Sequence, residues 1–411
     1  MGAKSATVVV ETGSDFAANK GDEAYFAAMV ELFAEMLPDV QIVKFDGRPK
    51  MIRQRYGVRA IYSGGRLGRR LRALGPSLRA IASADLYCWG GGQILIDEHG
   101  FVSVPYRLSR PLLARCLRRP VMSYAVGVGP LTGRLARWLA GAVLKRFDLV
   151  TVRDRASVEI LRDCGLDGRI VQTVDAAVAL RSAGAERAKA ILEAEGVPSG
   201  RPLLAFLPWG PAYKRKKSLV PVIFRRGQAA RDPEGQRRYE EHCAAVARAL
   251  DRLIERAGAY VVFVPPDPTA AHGGDAAMAA DIASALDRPG DSRVLGGDYS
   301  PRELKAILGA TELAVGSRMH GLILAAGEGV PQVGICFSEK IRCWGEIVGQ
   351  QRFFIDESEV ADGDTLERLL GQAWAEREEL RRQVSARRDE LCREVRANVE
   401  RLARLLRTQR A

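Results

Sequence analysis

The chain has 411 residues, of which 47% are hydrophobic and 27% charged, a globular composition that excludes a chain disordered by default. This length is more than one ordinary hydrophobic core covers and suits two α/β domains. A net charge of +12 is typical of proteins that meet nucleic acid, anionic membranes or anionic substrates. Nucleic acid is the least supported, because no zinc-finger spacing, aromatic-interleaved basic groove or RNA-binding signature occurs.

The cysteines and the N-terminus bear on the cellular compartment. The seven cysteines include no Cys-x-x-Cys pair, and their odd number favours reduced thiols over a disulfide framework. The N-terminus lacks a basic segment followed by an apolar one, and no apolar stretch reaches the roughly 18 residues of a membrane span. The sequence therefore predicts a cytoplasmic protein, and its charge adds the expectation of a peripheral contact with the anionic inner face of the cell membrane.

Short apolar runs alternate with amphipathic stretches in the first half of the chain. Apolar runs at residues 6–10, 40–45, 84–89, 120–126 and 149–152 predict strands. Helices are predicted at 23–37, before Pro38, and from an N-cap at Asp154 to Cys164, where Gly165 follows. Strands that alternate with helices favour a parallel sheet with crossover helices.

The second half repeats this alternation after the turn signal Pro-Ser-Gly at 198–200. Strands are predicted at 202–207, 260–265, 313–315 and 330–336, helices at 239–257 and 321–326, and a charged helical stretch at 365–407. The fold class predicted is α/β, with two facing Rossmann-like domains and a C-terminal helical tail. The predicted boundaries are 1–182 for the N-terminal domain, 183–201 for a linker, 202–356 for the C-terminal domain and 357–411 for the tail.

Two glycine-rich loops follow predicted strands, at residues 90–93 and 127–130. Ligands of open parallel sheets bind beyond the carboxyl ends of the strands, and glycine lets the backbone approach a bound anion closely. The candidate binding residues of these loops are Gly91, Gly92, Gln93, Gly127 and Gly129. Each loop is equally explained as a tight turn, and neither matches the dinucleotide fingerprint or the Walker loop, so no nicotinamide cofactor or P-loop is predicted.

Arg153 follows the strand at 149–152 and stands at a helix start. A guanidinium at this place suits a phosphate or a carboxylate, helped by the helix dipole. An ion pair with Asp154 or another acid explains the residue equally well, and the sequence leaves both interpretations open.

The segment Gly316-Ser317-Arg318-Met319-His320-Gly321 follows the strand at 313–315. Arg318 offers a permanent, bidentate positive charge, and His320 exchanges a proton near neutral pH. Ser317 is a candidate binding residue beside them. The alternative is a polar histidine that merely sits at a helix start. His and acidic residues do not cluster at ligand spacings elsewhere, so no metal site is predicted.

Taken in order, these motifs resemble the polysaccharide pyruvyl transferase family. The series consists of Asn19-x-Gly21-Asp22, the glycine-rich strand end from Gly90 to Asp97, Gly127 to Pro130, Val152 to Gly165, Asp175, Arg318-x-His320-Gly321, Gly329 to Pro331 and Lys340. The chain departs from the family pattern at Gln93, which replaces a fourth glycine, and at Ala125, where another glycine is common.

The resemblance implies a fold similar to two-domain GT-B glycosyltransferases. It also implies transfer of a pyruvyl group from phosphoenolpyruvate to a sugar of a cell-surface or exopolysaccharide precursor, usually as a ketal across two hydroxyls, with no cofactor. Arg153, Arg318 and Lys340 would hold the anionic groups of the donor, with Asn19 and Ser317 as further binding residues. His320 would protonate carbon 3, and Asp22 or Asp175 would orient or deprotonate a hydroxyl.

Two other functions compete with this one. A GT-B type glycosyltransferase with a nucleotide-sugar donor would also need cations for phosphate. A non-catalytic protein of the membrane surface would use the net charge, the basic runs at 66–72 and 214–217, and the tail helix. The sequence leaves open whether the acceptor sugar is lipid-linked, nucleotide-linked or part of a free polymer.

Overall fold

The structure, a computed structural model, describes residues 5–13, 20–63, 67–97, 102–209, 233–266, 274–361 and 364–408, without the side chains of 67–72. Two compact units make up the chain. The first runs to Leu180 and includes the residues from Leu391 on, and the second is Arg181–Glu390. The basic run at 214–217 lies outside the described residues.

Strands and helices alternate through the first unit. The strands are β1 (Ala6–Glu11), β2 (Val40–Asp46), β3 (Arg59–Tyr62), β4 (Leu86–Gly90), β5 (Gln93–Leu95), β6 (Val121–Val128), β7 (Leu149–Val152) and β8 (Ile170–Gln172). The helices are α1 (Lys20–Met36), α2 (Pro49–Tyr56), α3 (Leu67–Ala82), α4 (Ser103–Cys116), α5 (Arg134–Leu144) and α6 (Arg155–Asp163). The strands pair in parallel in the order β3-β2-β1-β4-β6-β7-β8, and β5 pairs with β6.

One face of this sheet is covered by α3, α4, α5 and α6. Their inward side chains, among them Ile81, Leu108, Val143 and Leu161, share one hydrophobic core with the strands. Because all the strands run in parallel, their carboxyl ends meet at a single edge of the sheet. The loops predicted to bind a ligand follow β4, β6 and β7 at that edge.

The second unit is built in the same way. Its strands are β9 (Leu203–Leu207), β10 (Tyr260–Phe263), β11 (Ser292–Val294), β12 (Leu313–Gly316), β13 (Gln332–Cys336) and β14 (Phe354–Asp356). Its helices are α7 (Ala185–Ala194), α8 (Pro233–Ala257), α9 (Asp275–Ser284), α10 (Pro301–Gly309), α11 (Met319–Ala326), α12 (Glu339–Ile347), α13 (Glu357–Val360), α14 (Asp364–Ala375) and the start of α15 (Arg377–Thr408). The parallel strand order is β11-β10-β9-β12-β13-β14.

The predicted fold class is confirmed in its two parallel-sheet α/β units and its helical C-terminal end. The stretch predicted as a linker, 183–201, contains α7 and groups with the second unit. The predicted tail is divided, since residues 357–390 group with the second unit and those from Leu391 on with the first. The facing arrangement of the two domains stays a prediction.

Several helix boundaries differ from the sequence predictions. Helix α1 begins at Lys20 and α8 at Pro233, both earlier than the apolar periodicity indicates. Helices α3 and α4 were not predicted, and each contains an internal proline, Pro76 in α3 and Pro111 in α4. A proline inside a helix removes one backbone hydrogen bond, so its presence in a sequence argues against a helix. Packing against the sheet stabilises both helices here.

Candidate functional site

In the first unit, the glycine-rich loops make room for two charged side chains. A Cβ added at Gly92 would lie 2.3 Å from Oδ1 of Asp22, and one at Gly127 would lie 2.9 Å from Nε of Arg153. The loops are tied together by the Gly127 amide, which donates to the Gly92 carbonyl oxygen at 2.9 Å, and by Gln93 Nε2, which donates to the Gly129 carbonyl oxygen. The glycines therefore accommodate protein side chains as well as turns.

Arg153 is 2% exposed and is held by carboxylates. Its Nη1 donates to Oδ2 of Asp175 at 2.9 Å, and its Nε lies 3.5 Å from Oδ2 of Asp154. Burial by itself would lower the pKa of Arg153, but the charges of Asp175 and Asp154 raise it above the ordinary value. The ion pair left open by the sequence is therefore present, and a contact of Arg153 with a bound anion stays a prediction.

The carboxylates around Arg153 also cap helical segments. Asp154 accepts from the Ser157 amide at 2.8 Å and so caps α6, as predicted, while Asp175 accepts from the Ala177 amide at 3.0 Å at the start of a short 3-10 helix. Asp22 is buried in the first turn of α1, close enough to Arg153 to contribute to its raised pKa. The structure thus brings Asp22, Arg153 and Asp175 together, whereas Asn19 lies outside the described residues.

Ala125 has an unusual backbone in the middle of β6. Its φ is 48°, in the left-handed region that side chains with a Cβ rarely adopt, and the pairing of β6 with β7 is irregular between Ser123 and Val126. The amide of Ala125 donates to Oγ1 of Thr151 at 2.9 Å, which anchors this conformation. A backbone of this kind explains why glycine would suit the position.

In the second unit, two cations lie close to one aromatic side chain. The centre of the Arg318 guanidinium lies 5.8 Å from the ring centroid of Trp209, and Nζ of Lys340 lies 5.9 Å from the same centroid. Trp209, Arg318 and Lys340 follow β9, β12 and β13, three neighbouring strands whose carboxyl ends meet at one edge. Two cations near one indole concentrate positive charge at this edge, and their binding of an anion stays a prediction.

Arg318 is only partly neutralised. Its Nη2 donates to Oδ1 of Asp275 at 2.5 Å, but 31% of its side chain stays exposed, whereas Asp275 is buried. Arg318 also occupies the N-cap position of α11 without capping the helix through its side chain. Among the described residues, Arg318 has one carboxylate partner, and a guanidinium with an open side retains donors for a ligand.

Ser317 serves to fix Trp209. Its Oγ donates to the Trp209 carbonyl oxygen at 3.0 Å, and its amide donates to the Leu207 carbonyl oxygen at 3.2 Å. Gly316 and Gly321 both pack on Leu207, where a Cβ would lie 2.3 Å from its carbonyl oxygen and 2.7 Å from its Cδ2 respectively. The Gly-Ser pair therefore ties the end of β12 to the end of β9, and a contact of Ser317 with substrate stays a prediction.

Two histidines lie in the described part of the second unit, and they differ in burial. His242 of α8 is 3% exposed, its ring centroid lies 5.6 Å from that of Phe337, and burial lowers its pKa to about 4. It is therefore neutral near pH 7 and unsuited to donate a proton. His320, in the first turn of α11, is half-buried and two residues from Arg318. His99 and His272 lie outside the described residues.

Trp209 and Asp275 are not among the residues that the sequence predicts for the site. Trp209 follows the strand at 203–207 and could have been flagged as an aromatic residue at a strand end, but its distance from Arg318 depends on the strand order. Asp275 opens α9 and carries no local signal for its ion pair with Arg318.

Among the described residues, no group of three or more His, Cys, Asp or Glu side chains is placed to hold a metal ion. Among their helices, none combines the length and the apolar character needed to cross a membrane. The seven cysteines are all free thiols.

Comparison with solved structures shows the fold that the chain shares. HepE of Anabaena, solved with UDP, has a TM-score of 0.59 at 13% identity and is covered over its whole length by 98% of this chain. A glycosyltransferase of Rickettsia africae gives 0.58 at 11% identity, with 98% of this chain and 99% of that one covered. A putative UDP-N-acetylglucosamine 2-epimerase of Listeria monocytogenes gives 0.56 at 12% identity, with 92% and 90% covered.

Comparison of sequences shows the family. The amylovoran biosynthesis protein AmsJ of Erwinia amylovora is 22% identical over 285 residues, which are 68% of this chain and 63% of that protein, so the match spans less than two thirds of this relative. The family model for polysaccharide pyruvyl transferase matches residues 19–335. This match covers most of the chain and confirms the resemblance carried by the ordered motifs: the protein belongs to the polysaccharide pyruvyl transferase family.

Proposed function

We propose that the protein transfers the pyruvyl group of phosphoenolpyruvate to a sugar of a cell-surface or exopolysaccharide precursor and forms a pyruvate ketal. The observation that carries the proposal is the pair of cations, Arg318 and Lys340, close to Trp209, with His320 in the first turn of α11. The membership of the family and the relation to AmsJ, a protein of amylovoran biosynthesis, support the same function.

The donor has a phosphate and a carboxylate on one small molecule. Arg318 binds one of these groups in a charge-assisted, bidentate manner, and Lys340 neutralises charge on the other. Trp209 helps to hold the Arg318 guanidinium and the Lys340 ammonium in place, because each cation is attracted to its aromatic ring. Arg153 belongs to the first unit, and its proposed role is to support the loop at Gly127.

The proposed reaction begins with a proton transfer. His320 gives a proton to carbon 3 of phosphoenolpyruvate, which leaves carbon 2 electrophilic, and a sugar hydroxyl bonds to carbon 2 and loses its proton. The bond from carbon 2 to the phosphate oxygen then breaks, phosphate departs with that electron pair, and a second hydroxyl closes the ketal. The deprotonated His320 takes the proton of a hydroxyl, and the cations stabilise the departing phosphate. A role of Asp22 or Asp175, which belong to the first unit, as the base stays a prediction.

The test is a set of ligand titrations monitored by thermal shift and calorimetry. Phosphoenolpyruvate should raise the melting temperature more than inorganic phosphate or pyruvate does at the same concentration, since only the donor contacts both cations. Arg318→Ala should weaken phosphoenolpyruvate binding by roughly 10- to 150-fold, the equivalent of about 1.5–3 kcal/mol for a hydrogen bond to a charged group. Arg382→Ala, which removes an exposed arginine of the same unit paired with Glu379, is the matched control and should bind like the wild type.

The competing function is a glycosyltransferase with a nucleotide-sugar donor, for which the fold likeness to HepE, solved with UDP, is the specific observation. Stabilisation by UDP-sugars but not by phosphoenolpyruvate would favour that function and overturn the proposal. Release of phosphate from phosphoenolpyruvate that depends on an added polysaccharide precursor, with pyruvate ketal in the product, would establish it. Repeating this assay with a lipid-linked and with a water-soluble acceptor would identify the acceptor class.

A further inference from the structure

Large apolar side chains are exposed in one region of the first unit. Among the described residues, the exposed large hydrophobics are Leu74, Leu78, Val102, Tyr106, Leu117, Leu135 and Trp138. All seven lie on α3, α4 and α5 or at their ends. Leu135 and Trp138 are 69% and 67% exposed, which is unusual for residues of this size.

These side chains belong to one surface. Helices α3, α4 and α5 pack on the same hydrophobic core, and α4 contacts both of its neighbours. They therefore form a single layer over one face of the sheet, and the sides turned away from the core point outward together. A cluster of exposed apolar groups on one layer marks an interaction site, whereas scattered ones need no explanation.

The charged residues of these three helices are all basic. Helices α3, α4 and α5 contain four, three and two arginines respectively and no Asp or Glu. Among described side chains, Arg79, Arg107, Arg118 and Arg134 have no carboxylate partner. Several exposed arginines of the second unit are paired, among them Arg237 with Glu241 and Arg382 with Glu379.

We propose that the outer surface of α3, α4 and α5, here named the α3–α5 face, docks on an anionic lipid bilayer. Trp138, Leu135 and the other exposed apolar groups would insert at the headgroup level, and the arginines would meet the lipid phosphates. A second copy of the chain is a poorer occupant because two arginine-rich faces would repel each other. A nucleic acid would match the charge but leave the leucines and the tryptophan in contact with water.

The experiment uses the full-length protein and vesicle flotation. Vesicles of phosphatidylcholine alone are compared with vesicles that contain phosphatidylglycerol, at low and at high salt. The wild type should bind the anionic vesicles and lose part of its binding at high salt, because screening weakens the arginine contacts but not the apolar insertion. Leu135→Gln with Trp138→Gln should reduce binding by at least about tenfold, and Arg79→Glu with Arg134→Glu by a similar factor.

Two controls keep the result interpretable. Arg237→Glu with Arg382→Glu changes the net charge as much as the second double variant does, but on the second unit, and should bind like the wild type. All four residues of the test variants are exposed, so the melting temperature should stay near the wild-type value. Equal binding to neutral and anionic vesicles, or unchanged binding in the test variants, would overturn the proposal.

A spectroscopic readout locates the contact. Brominated lipids quench tryptophans that reach the bilayer, and of the five tryptophans Trp138 is exposed on the α3–α5 face, whereas Trp89 and Trp344 are buried. Quenching should be lost in Trp138→Phe. Dimerisation that is abolished by Leu135→Gln with Trp138→Gln, without any vesicle binding by the wild type, would assign the face to self-association and also overturn the proposal.

Discussion

Arg153 and Arg318 occupy corresponding places in the two units, each just beyond a parallel strand and at the start of a helix. Arg153 is 2% exposed and lies between Asp175 and Asp154, whereas Arg318 has 31% of its side chain exposed and one carboxylate partner, Asp275. The place at a strand end therefore does not decide what an arginine does. The number of carboxylates that share it and the access of solvent decide whether its charge is used within the protein or remains for a ligand.

The largest effect is expected at His320, the proposed proton donor beside Arg318. His320→Gln should lower kcat by roughly 10²- to 10⁴-fold, since glutamine can hydrogen-bond but cannot deliver a proton. The affinity for phosphoenolpyruvate should change little, because the cations over Trp209 remain. Steady-state kinetics and donor titration on the same preparation measure both quantities.

The matched control for this variant is His242→Gln. His242 is buried, and its pKa of about 4 keeps it neutral near pH 7, so its loss should affect the melting temperature more than kcat. A His320→Gln enzyme with near-normal kcat would remove the general-acid role. It would leave the proposed anion site at Arg318 and Lys340 untouched.

A loss of stability is expected from the buried arginine. Arg153→Met leaves Asp175 with a buried, uncompensated charge, and breaking a buried ion pair in this way costs about 3–5 kcal/mol of unfolding free energy. Urea unfolding followed by circular dichroism measures the change. Arg318→Ala should cost clearly less, because Arg318 is partly exposed and its loss uncovers a carboxylate at a helix start.

The opposite effects of the two variants on stability and donor binding would contradict the roles assigned to Arg153 and Arg318. An Arg153→Met protein with wild-type stability and weakened phosphoenolpyruvate binding would place Arg153 in the donor site. Asp175→Asn combined with Arg153→Met removes both charges and should recover part of the lost stability, which a ligand-binding role alone would not explain.

Parts of this picture could be predicted from the sequence because they depend on local pattern. The central strands are buried on both faces, and their sequences are continuous apolar runs. Asp154 is predictable as an N-cap because a short acidic residue precedes a helix. The sequence motifs point to Arg318 and Lys340. They do not predict that both cations lie near one indole, because Trp209 lies more than one hundred residues earlier in the chain than Arg318 and is brought near it only by the order β9-β12-β13.

The partner of Arg153 illustrates the same limit. The sequence admitted either a ligand or an acid, and the choice depends on burial, which follows from how β6, β7 and the segment at Asp175 pack. Ala125 was noted as a departure from the family pattern, but its positive φ follows from the irregular pairing of β6 with β7. Tertiary packing thus settles questions that residue types and spacing leave open.

The smallest effects are expected at two neighbouring positions of β6, and they bear directly on how firmly Arg153 is held. Gly127→Ala would place a Cβ 2.9 Å from the guanidinium, so either the side chain of Arg153 or the strand must move, at a cost of about 1–3 kcal/mol.

Ala125→Gly works in the opposite sense, because it relieves a φ of 48° that costs about 1–2 kcal/mol for a residue with a Cβ. That gain is offset by the extra freedom of glycine in the unfolded chain, about 0.4–1 kcal/mol, and by the loss of a buried methyl group, about 0.8 kcal/mol. The net change at Ala125 should therefore stay within about 1 kcal/mol, and urea unfolding of the two variants side by side tests the difference. If Gly127→Ala changed the free energy of unfolding as little as Ala125→Gly, the side chain of Arg153 could move to admit a methyl group. Arg153 would then not be firmly held, and its contrast with Arg318 would be contradicted.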